Sequence, residues 1–218
     1  MTEHRDMGRS REPNPQTDIV LDAKGLRALA HPVRVQLVGL LRRYGPSTAT
    51  ALAQRMGLTS GATSYHLRQL AAAGFIAEDV DRGNARERWW KSLYQATWFT
   101  GTDLIEREPE AALGYLQSIA AANTLHTQQA LNEFQTMPRE WQEALDLSDW
   151  ALWLTAQEAR SLQDELESVI ARYRSDTPHA RTDAPQGAAR VAIITHLLPE
   201  PGADPGSSAE DTHRGQQP

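Results

Sequence analysis

The stretch from Thr59 to Leu70, Thr-Ser-Gly-Ala-Thr-Ser-Tyr-His-Leu-Arg-Gln-Leu, constrains the fold more than any other part of the chain. Met56-Gly57-Leu58 stands in front of it, and a glycine there permits the positive φ that a tight helix-to-helix turn needs. Thr59 or Ser60 can cap the new helix by accepting a backbone N–H. Thr63, Leu67, Leu70 and Gly74 then fall at i, i+4, i+7 and i+11, which is one inward face. Gly61, Ser64, Tyr65 and Arg68 make the opposite face, which is short, polar and free of acid. Small hydroxyls allow close approach to base edges, and an arginine can donate to guanine O6 and N7. The same face would also serve as ordinary solvated surface, so the context of the helix has to separate the two readings.

That context is a run of short helices. Leu21 to Ala30 reads as a first helix, and His31-Pro32 ends it, because proline disfavours helical geometry in the residue before it. Pro32 can itself open the next helix, to Tyr44, with Val33, Leu37, Leu40 and Leu41 inward. Gly45-Pro46 stops that helix. Ser47 or Thr48 caps a third, with Ala51, Leu52 and Met56 inward, and Gly74 is placed to close the fourth. Phe75 to Val80 then reads as a strand, residues 81–85 as a turn, and Arg86 to Leu93 as a return strand. A hairpin behind a reading helix is the wing of a winged helix-turn-helix. Its tip carries Arg82, Asn84 and Arg86, donors suited to phosphates or the minor groove.

The net charge of −6 conceals a division. Residues 22–91 hold 11 bases and 5 acids, whereas residues 93–218 hold 8 bases and 19 acids. A basic module joined to an acidic one fits nucleic-acid binding by the first alone. With no cysteine, disulfides, thiolate metal sites and cysteine nucleophiles are excluded. No apolar run reaches the roughly 18 residues a membrane span needs, and the polar start lacks the apolar centre of a signal peptide. A cytoplasmic protein without membrane contact is the expectation.

Residues 24–93 resemble the winged helix-turn-helix domain of the ArsR family of bacterial regulators. The resemblance rests on Ala30-His31-Pro32-Val33-Arg34-Val35-Gln36-Leu37, on Leu52 to Leu58, on Thr63-Ser64-Tyr65-His66-Leu67-Arg68-Gln69-Leu70 and on Gly74-Phe75-Ile76. It covers about a third of the chain. It implies that Ser60, Gly61, Ser64, Tyr65 and Arg68, with Thr59 at the helix start, meet double-stranded operator DNA. Arg82, Asn84 and Arg86 would be the wing contacts. It also implies a homodimer, usually a repressor. One feature departs from the metal-sensing members: their Cys-Val-Cys segment is here Ser47-Thr48-Ala49-Thr50-Ala51-Leu52. The helical stretch 123–131 offers only His126, so no metal and no cofactor is expected.

The second half is read with fewer signals. Residues 97–102 form a connector. Pro109 opens a long helix to about Gln135, striped by Leu113, Leu116, Ala120, Asn123, Thr127, Ala130 and Phe134; such a stripe equally often is an internal core face, and this helix is the expected dimer seam. Leu145 to Leu154 reads as a strand, Thr155-Ala156-Gln157-Glu158 as a capping box opening a helix to about Arg174, and Ala189 to Leu198 as a last strand. Trp141, Trp150 and Trp153 would form the core of this strand–helix–strand unit or line a pocket for a small-molecule effector. The overall expectation is a mainly α chain with small β (α+β). Its parts are a disordered arm (1–19), a winged domain (20–95), a C-terminal dimerisation or effector domain (103–198) and a disordered acidic tail (199–218). Deleting residues 94–218 is expected to leave a folded monomeric module. No phosphate loop or nucleophile elbow occurs, so an enzyme is not expected. The rival of another class is a winged protein-interaction module that does not read DNA. Such a module would carry acid or bulky apolar residues on the 60–68 face.

Overall fold

The computed structural model describes residues 12–82, 87–100, 102–173 and 183–200. The mainly helical class with small sheets holds. The chain divides into two compact units, residues 11–148 and a second unit containing residues 149–218.

The first four helices of the first unit each begin where the sequence supplies an acceptor. Asp22 Oδ1 accepts from the Gly25 N–H at 2.6 Å and starts α1, Ala23–Leu29. His31 caps α2, Pro32–Tyr44, through Nδ1, with proline at the first helical position, where its missing N–H costs nothing. Thr48 caps α3, Ala49–Met56, and Thr59 caps α4, Ser60–Ala72. Gly57, between α3 and α4, is left-handed at φ 65°, the turn that the sequence required. Leu26, Leu37, Leu67, Leu70, Phe75 and Ile76 are the fully buried centre on which these helices converge.

The wing follows. Strand β2 is Ser47–Thr48, β3 is Ile76–Glu78 and β4 is Trp89–Ser92. They form an antiparallel sheet in the order β2-β4-β3, with Ile76 opposite Ser92 and Ser47 opposite Trp90. The turn expected at 81–85 falls mostly on residues 83–86, outside the described residues.

Three features of this unit differ from expectation. First, the arm expected to be disordered through Ile19 contains strand β1, Asp18–Val20, paired parallel with β5, Ala96–Trp98, in the expected connector. Asp18 is buried, and its carboxylate accepts from Trp98 Nε1 at 2.9 Å, the Asn14 N–H at 3.1 Å and Thr17 Oγ1 at 2.9 Å. Three-residue strands are too short to show alternation, and the partner is 80 residues away.

Second, the long helix α6, Pro109–Asn132, follows the short α5, Thr102–Arg107, and packs on α1 and α2 of its own chain. It buries Ala112, Tyr115 and Ser118, while Leu113 and Leu116 of the expected stripe stay exposed. Small residues decide which face goes inward. A Cβ on Gly114 would meet the Ala30 Cβ at 3.2 Å, a tight contact that glycine avoids.

Third, the boundary expected at 95–103 runs through the packed unit. Arg42 is half-buried, and it donates from Nε to the Tyr94 carbonyl at 2.9 Å and from its guanidinium to Thr97 Oγ1 at 2.8 Å. Deletion of residues 94–218 therefore removes Arg42's acceptors, β5 and α6 together, and the module expected from that deletion does not correspond to a packed unit.

A 3₁₀ turn at Phe134–Thr136 and the short α7, Arg139–Ala144, end the first unit. The second unit contains α8, Ala156–Ile170, opened by the expected capping box. The strands expected at 145–154 and 189–198 are not formed, since neither segment has a sheet neighbour among the described residues. Trp150 and Trp153 are 84% and 95% exposed, so they build neither the expected core nor a ring-lined pocket. An extended segment without an adjoining strand leaves its backbone groups to water and its side chains without a layer to pack on.

Candidate nucleic-acid interface

The site begins at the α3–α4 turn. The Leu58 N–H donates to the Ala53 carbonyl at 2.9 Å, which locks the left-handed turn at Gly57. Thr59 Oγ1 accepts the Ala62 N–H at 3.2 Å and fixes the start of α4. Thr63, Leu67 and Leu70 then point inward, all fully buried. Their burial sets the rotation of α4 and so decides what the other side presents. Thr59, Ser60, Gly61, Tyr65 and Arg68 are exposed and Ser64 is half-buried. A Cβ placed on Gly61 meets nothing within 4 Å, so packing inside the chain does not require glycine there.

Behind this face lies a cluster of His31, His66, Tyr65 and Arg34. The His31 and His66 rings are 4.6 Å apart, and Tyr65 meets His66 edge-on at 5.3 Å. Burial and the Arg34 charge hold His31 below the ordinary histidine range; burial, His31 and Arg34 do the same to His66. Arg34 is itself lowered by burial, against an opposing effect of Tyr65. Arg34 Nε, His66 Nδ1 and Thr63 Oγ1 are buried with no hydrogen-bond partner among the described residues. Arg34, the functional candidate missed from sequence, thus adjoins Tyr65 of the presented face. Its signal was its place in the first turn of α2, two residues after the His-Pro boundary.

At the β3–β4 pair, Asp79 is the organising residue. It is buried, its N–H donates to the Trp89 carbonyl at 2.8 Å, and its carboxylate pairs with Lys91 at 3.0 Å and Arg82 at 3.4 Å. Arg82 is thereby tethered beside these strands while its side chain stays 60% exposed. Arg88 pairs with Glu78 at 3.2 Å. Asn84 and Arg86, the other expected wing contacts, lie outside the described residues.

The positive charge counted from sequence is not all at the surface. Desolvation lowers the half-buried Arg42 to about 10, so at neutral pH it remains charged but acts as a structural donor. Arg43 faces the His126 ring on α6, at 3.2 and 3.4 Å to its two nitrogens. No group of three or more His, Asp or Glu side chains that could hold a metal occurs among the described residues. None of the described helices is long and apolar enough to cross a membrane. An open cleft of about 830 Å³, lined by residues including Lys24, Arg27, Asp103, Arg107 and Glu108, is charged rather than ring-lined.

Among curated proteins none matches the chain. Residues 29–79, from the end of α1 through β3, match the family model of a helix-turn-helix domain. Both this match and the α3–turn–α4 geometry make the first unit the seat of a helix-turn-helix domain, the DNA-binding element of a transcription regulator.

Proposed function

We propose that the protein is a sequence-specific transcription regulator of the ArsR type, a homodimeric repressor that reads a pseudo-palindromic operator without a metal and without enzymatic activity. The observation that carries this reading is the exposed face of α4. It presents Ser60, Gly61, Ser64, Tyr65 and Arg68 with no acid among them, held in rotation by three buried residues on the opposite side. A winged protein-interaction module has no use for such a face, and bare glycine there leaves room for a base edge to come close.

Two observations support the dimer. A single reading helix makes few base contacts, whereas a two-fold pair reads half-sites about one turn, ~34 Å, apart. The outer side of α6 also leaves Leu113 and Leu116 at 58% and 50% exposure, a stripe available to a second copy.

The test is a gel-shift titration on fragments selected from genomic DNA by the purified protein. Arg68→Ala and Ser64→Ala should each weaken specific binding by ~1–3 kcal/mol while leaving random DNA little affected. Arg82→Ala should weaken binding to every sequence and flatten the salt dependence by about one unit. Equal losses on specific and random DNA for all three variants would remove α4 as the reading element.

A further inference from the structure

The C-terminal unit contains the parts of a folded layer without the burial of one. Its helix α8 is well started, yet it buries no residue, and Leu166, Val169 and Ile170 lie 37–44% exposed along one side. The flanking segments are denser in apolar residues still. In an extended chain successive side chains alternate between two faces. Trp150, Leu152 and Leu154 would share one face and Trp153 the other; Val191 and Ile193 would share one and Ile194 the other. Both faces of both segments are therefore apolar, the pattern of strands covered on two sides. The unit has one described helix, and one helix covers one face.

We propose that this unit is half of a two-copy domain: residues 150–154 and 191–198 pair with, and are covered by, the same segments of a second chain. Three arguments select that occupant. The first is the lack of charge, since no Asp, Glu, Lys or Arg stands within 150–154 or 191–198, so a partner recognised by charge has nothing to hold. The second is area. Two tryptophans at roughly 150–250 Å² each, with the aliphatic residues beside them, expose on the order of 1,000 Å² per chain. That exceeds the roughly 300–600 Å² patch of an ordinary monomer and matches the ~800 Å² per partner of a stable interface. The third is the backbone of the two segments, with which an identical segment can exchange hydrogen bonds while a two-fold axis satisfies both copies at once. This extends the dimeric reading above to a second contact and depends on that reading only for the two-fold symmetry.

The experiment uses the full chain. Sedimentation equilibrium over a dilution series gives the dimer dissociation constant, and acrylamide quenching of tryptophan emission is followed in the same series. The expected result is a dimer in which Trp150 and Trp153 are protected and become quenchable on dilution, an effect removed in W150F/W153F. Trp153→Glu with Ile193→Glu should raise the dissociation constant roughly tenfold or more, the effect of placing unpaired charge in an interface. The quenching arm needs no destabilised variant and so stands if the double variant misfolds. A dimer weakened by Leu116→Glu but not by the double variant, with Trp150 and Trp153 quenchable at all concentrations, overturns this proposal and leaves the dimeric regulator standing. A monomer at all concentrations whose Trp150 and Trp153 are protected shows that the chain covers itself and overturns both.

Discussion

Two threonine-capped helices, α4 and α8, have opposite fates. Thr59 and Thr155 each accept a backbone N–H at 3.2 Å, and α8 adds the reciprocal bond from the Thr155 N–H to Glu158. By local criteria α8 is the better helix, with a full capping box and an apolar stripe of Leu162, Leu166, Val169 and Ile170. Yet α4 buries three residues completely and α8 buries none. Local chemistry decides that a helix forms; what it packs against depends on neighbours that arrive from elsewhere in the chain. α4 has α2, α3 and β3 around it, drawn from within about thirty residues on either side.

The comparison can be broken at several levels. Deleting residues 149–218 should leave the thermal unfolding of the first unit nearly unchanged. Deleting residues 94–218 should abolish a cooperative transition, because β5, α6 and the acceptors of Arg42 go together. Scanning calorimetry of the two truncations distinguishes these outcomes, and a sharp transition in the shorter one would mean that α6 is a passenger. Phe75→Ala comes next. Phe75 is wholly buried beneath α1, and its loss should cost about 3–5 kcal/mol in urea unfolding. Thr59→Ala should cost ~1 kcal/mol in the same assay. Thr155→Ala removes the same kind of cap but should change only the helical signal of the second unit, not the unfolding midpoint of the first.

The smallest effect is with pH. His31 and His66 are held below the ordinary value of 6.5 chiefly by burial, so the unfolded chain binds more protons below that pH. The stability they contribute is present above about pH 6.5 and is lost as pH falls through their folded values. His66→Gln should therefore flatten the fall of the urea midpoint on acidification. A fall as steep as in the parent protein would put the acid sensitivity elsewhere.

The sequence was legible where one signal coincided with another nearby. Gly57 and the inward set Thr63, Leu67 and Leu70 were readable because the turn, the cap and the period lie within a few residues of one another. The same holds for Thr59, Ser60, Gly61, Ser64, Tyr65 and Arg68 of the candidate site, which follow once the rotation of α4 is known. The pairing of β1 with β5 was not legible, because three-residue strands carry no period and the pairing spans most of the first unit. The side of α6 that packs on α1 and α2 was not legible for another reason. Leu113 and Leu116 dominate any hydrophobic count, but closeness of approach is set by Ala112, Gly114 and Ser118. Arg34 was missed because its role comes from its neighbours His66 and Tyr65, more than thirty residues further on.

The β1–β5 pairing also fixes an order in time. During synthesis Asp18–Val20 emerges well before Ala96–Trp98, and at about 5–20 residues per second the interval is roughly 4–16 s. Helices α1 to α4 rely on near neighbours and can associate within that interval, whereas the paired ends depend on contacts distant in sequence and close slowly. For those seconds Asp18 is without the Trp98 indole that it accepts from in the finished unit. α4 is thus complete before the β1–β5 pairing can form, and a chain halted after α4 has emerged but before Ala96 has would display that helix on a body still open at its seam.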